Sequence, residues 1–160
     1  MSPDEIIERF DLKKLPVEGG YFTPVYRGEH IITDPGGRQR NLGSSILYLI
    51  TQESFSSLHL LDNLEIWHYC GGDEMQQLLL YPDGSGEVRS ISLSSPVSIV
   101  PGGVWQGTRL VAGGSWGLCG VTMLAAYTQE DFHAPDPGEL SSQYPRWREQ
   151  ISAMVGASHG

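Results

Sequence analysis

Three short polar clusters interrupt otherwise apolar stretches of this chain. The first is His59-x5-Glu65-x2-His68. The second is Pro101-Gly102-Gly103-Val104-Trp105-Gln106, and the third is Val17-Glu18-Gly19-Gly20-Tyr21-Phe22, ahead of Tyr26-Arg27. Imidazole and carboxylate together serve two chemistries. As a set they ligate divalent transition metals, often as two His and one carboxylate. Without a metal they move protons, because His titrates near neutrality and a Glu desolvated in an apolar cavity has its pKa raised. Alone, His59 or His68 reads as a structural histidine and Glu65 as a solvated strand residue. Only their clustering makes them catalytic candidates.

Positioning such groups falls to short strands. Apolar and β-branched runs separated by Gly and Pro turns predict strands over Tyr21–Arg27, Ser44–Thr51, Ser57–Leu61, Glu65–Cys70, Met75–Tyr81, Glu87–Leu93, Ser98–Val100, Val104–Leu110 and Trp116–Leu124. Pro82-Asp83-Gly84 is a turn in which Pro fixes φ and Gly accepts positive φ. About nine strands at this spacing predict an all-β, antiparallel sandwich or barrel. A short helix opens the chain, with Ser2 as cap, Pro3 in the first turn and Glu5 completing a capping box. A helical tail closes it, capped by Asp136, started by Pro137, and interrupted at Tyr144-Pro145 before Trp147–Val155. Arg38 to Asn41, after Asp34-Pro35-Gly36-Gly37, reads as the most flexible loop.

Alternation along a strand then sorts the candidates. If Glu65 faces inward, so does Trp67, and His68 faces out unless a bulge intervenes. Gln106 inward sends Trp105 outward. On Ser44–Thr51 we favour Tyr48 inward, as a polar tip among Ile46 and Ile50. An interior lined by His59, Glu65, Gln106, Trp67 and Tyr48 is an apolar bowl with few polar groups, the usual make-up of a small-molecule site.

Composition bounds the partners. The chain has 160 residues, a formal charge of −9, and only 18% charged residues. Scattered Lys and Arg in an acidic chain argue against a nucleic-acid partner. No run of apolar residues is long enough to span a membrane, and Met1 to Phe10 is too acidic for a signal peptide. Cys70 and Cys119 read as two buried free thiols of a cytoplasmic protein. Gly 20 and Pro 10 exceed the roughly 7% and 5% of ordinary chains, as a many-turned fold requires. One domain over residues 1–160 is expected, with its core at about 12–132 and the tail at 133–160. His133 and His159 fall in loop and tail and read as solvated. Glu18 and Arg27 read as an ion pair near a dimer edge, or as residues at the pocket mouth.

The clusters resemble the motifs of the cupin superfamily. His59 takes the first His of the first motif, Glu65 its Glu and Gly72 its closing Gly, while Leu61 stands where a second His belongs. In the second motif Pro101 and Gly103 match, and Gln106 replaces the His. The order Glu18–Phe22, Tyr26-Arg27, Glu65–His68, Val100–Gln106, Asp131-Phe132 and Tyr144-Pro145 is similar to the cupin-5-like family of small cupins, over about residues 12 to 150. Departures stand at Pro16, Leu60, Leu64 and Ala125. They remove one positive and one negative group near the cluster and fit a specialised member. The resemblance implies a jelly-roll β-barrel with short terminal helices, and a homodimer through edge strands, with Tyr21–Arg27 the candidate exchanged strand. It also implies a divalent transition metal as the alternative to no cofactor, held by His59, Glu65 and Gln106.

The expected activity is proton transfer on a small-molecule substrate, by an isomerase, epimerase or lyase (dehydratase). His59, Glu65 and His68 are the candidate catalytic residues. Tyr48, Trp67, Gln106, Tyr21 and Tyr127 are the candidate substrate-binding residues. A non-catalytic small-molecule binder and a metal-dependent oxygenase are the alternatives.

Overall fold

The first helix forms as its sequence dictates. Ser2 Oγ accepts the Glu5 N–H at 3.2 Å, and the Glu5 carboxylate accepts the Ser2 N–H at 2.6 Å. This helix, α1 (Pro3–Phe10), buries Ile6 against the sheet below it. The computed structural model describes residues 1–155. The last five positions, His159 among them, lie outside the described residues.

Thirteen strands follow among the described residues: β1 (Lys13–Lys14), β2 (Tyr21–Arg27), β3 (Ile31–Thr33), β4 (Gln39–Asn41), β5 (Ser44–Thr51), β6 (Ser56–Leu61), β7 (Leu64–Gly72), β8 (Met75–Leu80), β9 (Gly86–Ile91), β10 (Val97–Val100), β11 (Trp105–Leu110), β12 (Trp116–Leu124) and β13 (Phe132–His133). The tail forms α2 (Pro137–Gln143) and α3 (Arg148–Met154). Asp136 caps α2 through the Glu139 N–H at 3.0 Å.

The strands make an antiparallel six-stranded sheet in the order β1-β2-β5-β12-β7-β10 and a five-stranded sheet in the order β13-β6-β11-β8-β9. The main core lies between them. Tyr48, Ile50, Trp67 and Val121 from one sheet pack with Met75, Leu79, Ile91 and Leu110 from the other. The outer faces are covered as well. α1 lies over Leu49 and Leu118, while α2 and α3 bury Leu58, Leu78 and Leu80. The chain is therefore mostly β, but its sheets do not close into the expected barrel.

Two sequence expectations change here. Arg38 to Asn41 is not a flexible loop: Gln39–Asn41 pairs with Ile31–Thr33 as a hairpin. Arg40 is buried and pins that hairpin, donating to Asp34 at 3.2 Å and to Asp131 at 3.0 Å. Of the two free cysteines only Cys119 is buried; Cys70 is exposed. Among the described residues no helix is long and apolar enough to cross a membrane.

Candidate functional site

A cavity of about 130 Å³ opens between the sheets, lined mainly by apolar side chains such as Leu15, Phe22, Ile46, Leu61, Val121 and Met123. Its polar groups are few: Glu18, Ser44, Tyr48, Glu65, Trp67 and Tyr127. Strand parity positions most of them. On β7, Glu65 and Trp67 alternate inward and are buried, while His68 is exposed on the opposite face. The register irregularity of β7 falls beyond Tyr69, so nothing turns His68 around. On β5, Tyr48 points inward and is 1% exposed.

Tyr48 is seated by the Glu18-Gly19-Gly20 turn. Its hydroxyl donates to the Gly19 carbonyl at 2.5 Å and stands 3.2 Å from Glu18 Oε1. Gly20 has a φ of +76°, and a Cβ there would lie 2.6 Å from the Tyr48 ring. Only glycine permits both the turn and the tyrosine. Val17 also holds a positive φ, of 69°, which aims the next residue, Glu18.

Two carboxyl groups therefore line one small, mainly apolar space in different surroundings. Glu65 Oε1 accepts the Trp67 indole N–H at 2.9 Å, and the same N–H lies 3.3 Å from Gln106 Oε1. Burial, aided by the nearby charge of Glu18, pushes the Glu65 carboxyl up to about 8 against the pull of these hydrogen bonds. Glu18 instead accepts the Ser56 O–H at 2.9 Å. Burial raises the Tyr48 phenol well above its ordinary range, and the Tyr127 phenol is raised too, first by burial and then by Glu18. Both therefore remain hydrogen-bond donors.

His59 lies behind this set, not on the cavity wall. Its Nδ1 meets the Ser57 carbonyl at 2.6 Å, so Nδ1 carries the proton in the neutral ring. Its ring stacks on Phe132 with centroids 5.3 Å apart. Nε2 is buried without a hydrogen-bond partner and lies 3.6 Å from Glu18 Oε1. That distance suits a relay to Glu18 once either group shifts by a few tenths of an ångström.

Of the sequence candidates, the structure brings Tyr48, Glu65, Trp67 and Tyr127 to the cavity and sets His59 and Gln106 directly behind it. It does not bring His68 or Tyr21. Tyr21 packs in the cluster under α1, because the inward position on β2 belongs to its neighbour Phe22. Glu18 reaches the cavity and makes no ion pair with Arg27, whose Nη1 donates instead to the Tyr127 carbonyl at 2.9 Å.

A family model described as "Cupin superfamily (DUF985)" matches residues 4–134, most of the chain. The chain belongs to this cupin family. This cupin is similar over nearly its whole length to two solved structures at 25% identity. One is a hypothetical protein from Leishmania major, with TM-score 0.92, 98% of this chain covered and 100% of the other. The second is a protein from Shewanella oneidensis, with TM-score 0.85 and 99% of each chain covered. Oxalate decarboxylase from Bacillus subtilis shares the fold at 11% identity and TM-score 0.56, over 93% of this cupin and 39% of the enzyme. Among curated proteins none matches.

That decarboxylase has Mn(II) centres. Trp67 Nε1 engages one oxygen of Glu65 and one of Gln106, and His59 Nε2 has no hydrogen-bond partner. No group of three His, Cys, Asp or Glu is placed to hold a metal among the described residues.

Proposed function

We propose that this cupin is an enzyme that moves a proton at a carbon beside a carbonyl, as an isomerase, epimerase or dehydratase. The observation that carries the reading is the pair of unlike carboxyl groups on one apolar cavity, Glu65 neutral near pH 7 and Glu18 held by a hydroxyl donor. A protonated carboxyl and a second carboxyl on one cavity can divide the work of acid and base. Glu18 takes the carbon-bound proton. The O–H of Glu65 donates to the carbonyl oxygen as an enol forms. Delivery of the proton from Glu18 to the neighbouring carbon, as Glu65 takes back a proton from the enol hydroxyl there, isomerises. Delivery of it to a departing β-hydroxyl, as Glu65 takes back its own from the enol oxygen, releases water and gives the dehydratase. An epimerase instead re-protonates the same carbon after the enol turns its other face to Glu18. His59 exchanges the proton of Glu18 through Nε2. Gln106 fixes Trp67, and through it Glu65.

We further propose that two copies pair along β2, where Val25 is 66% and Tyr26 63% exposed beside Pro24 at the sheet edge. In this reading the two sheets are halves of a jelly-roll bowl, and the free cysteines suit a cytoplasmic protein.

The test is incubation in D₂O with panels of small carbonyl and hydroxy compounds, read by mass spectrometry. Deuterium incorporation at a carbon is expected. His59→Ala should slow it by at least about 10²-fold. Tight binding with no incorporation across the panel would favour the non-catalytic binder.

A further inference from the structure

We propose that Arg27 binds the anionic group, a phosphate or a carboxylate, of a substrate whose reacting end occupies the cavity. The inference rests on the proton-transfer reading of that cavity.

Size is the first argument. The cavity holds about 130 Å³, against about 300–1,000 Å³ for pockets that enclose a whole ligand. It admits a reacting fragment, and the rest of the molecule must lie at the mouth. A second, separate groove of about 430 Å³ has a lining that includes Arg27, Arg38, Arg40, Thr128, Gln129 and Glu130, the last three following Tyr127 of the cavity wall in the chain. Tyr127 forms the partition. It lines the cavity, and its hydroxyl lies 3.4 Å from Gln129 Oε1 in the groove.

Arg27 joins the two spaces. Its strand partner Ser44 and its hydrogen-bond partner Tyr127 both line the cavity, while Arg27 itself lines the groove.

Charge is the second argument. Arg40 is committed to Asp34 and Asp131. Arg38 is shared among Asp34, Asp62, Glu130 and Asp131. Among the described residues Arg27 makes no ion pair with any carboxylate, and its Nη1 donates to the Tyr127 carbonyl. Its remaining N–H groups keep the planar fork that matches a phosphate or carboxylate edge. The acidic surroundings sharpen the choice: in a chain of charge −9, an anion is held at this mouth only where an uncommitted cation meets it.

The experiment needs no substrate. ¹⁵N-labelled protein is titrated separately with inorganic phosphate and with acetate, following the Arg27 Nε–H and the Tyr127 amide by NMR. Saturable shifts at both signals are expected, weakening as added salt screens the charge. Affinity should fall about 5-fold in Arg27→Gln, fall less in Arg27→Lys, and stay unchanged in Arg109→Gln, which lies outside the groove. Tighter phosphate than acetate assigns a phosphate-bearing substrate, and the reverse a carboxylate. Equal affinity in wild type, Arg27→Gln and Arg27→Lys, or an absence of shifts at Arg27 and Tyr127, overturns the proposal. The variant Glu65→Gln separates this inference from the reading beneath it, since anion binding at Arg27 should survive there while deuterium incorporation is lost.

Discussion

Replacing Glu65 by Gln changes stability in a way that depends on pH with a defined sign. Glu65 is buried, and its carboxyl titrates at about 8 in place of 4.5. Gln is its uncharged isostere and can keep the acceptor that Trp67 Nε1 uses. The native state holds this proton more tightly than the unfolded chain, so between the two values it binds more protons and stability falls as pH rises. The loss starts near the unfolded value of 4.5 and is complete above about 8. At about 1.36 kcal/mol per pKa unit, the rise from 4.5 to about 8 corresponds to on the order of 5 kcal/mol. That is a large share of the roughly 5–15 kcal/mol that holds a typical domain together. Urea unfolding of both proteins at about pH 5 and about pH 9 isolates the effect, because their other titrating groups are the same. Relative to Glu65→Gln, the wild type should lose several kcal/mol between these conditions. Parallel stability curves would refute a buried neutral carboxyl at this position.

Other perturbations probe the scaffold. Trp67→Phe removes the N–H shared by Glu65 and Gln106; it should cost about 1–3 kcal/mol in urea unfolding and move the Glu65 midpoint further upward, because that hydrogen bond lowers it. Asp131→Ala leaves the buried Arg40 guanidinium short of its partner, so a loss of about 3–5 kcal/mol is expected, and a change under 1 kcal/mol would be inconsistent with a buried pair. Asp34 and Asp131 are both held below their ordinary value by the bonds that Arg38, Arg40 and Thr128 give them. Their contribution is therefore intact above about 3.8 and lost as pH falls below it; acid unfolding that begins lower in Asp131→Asn than in wild type would speak against this. Gly20→Ala forces a left-handed alanine at about 1–2 kcal/mol and drives its Cβ into the Tyr48 ring. Thermal unfolding should show a clear drop, and unchanged stability would mean that Tyr48 is not seated as described.

Parity along strands made much of the site legible in the sequence. Glu65 and Trp67 share a face and His68 takes the other from a period of two, whereas on Ser44–Thr51 parity leaves either Ile46, Tyr48 and Ile50 or Leu47 and Leu49 inward, and residue type favours the first set. Tyr21 illustrates the limit of residue type: its polar tip suggested a pocket, yet the inward position on that strand is Phe22. Glu18 carries the site's second carboxyl but sits in a turn aimed by positive φ at Val17, Gly19 and Gly20, where no periodicity signals direction. Arg40 was hidden for another reason. Its hairpin reads as a polar loop, and its partner Asp131 lies 91 residues away, so only the tertiary fold shows it to be buried. The two-residue strands β1 and β13 carry too little pattern to be seen at all.

The account stands most directly on proton transfer by the Glu18–Glu65 pair. The measurement is the rate of solvent deuterium incorporation into a bound small carbonyl compound, in wild type, Glu18→Gln and Glu65→Gln, with binding followed in parallel by calorimetry. Both variants are predicted to bind the compound and to incorporate deuterium at least about 10²-fold more slowly. Incorporation at the wild-type rate in either variant would contradict the assignment of that carboxyl to the chemistry.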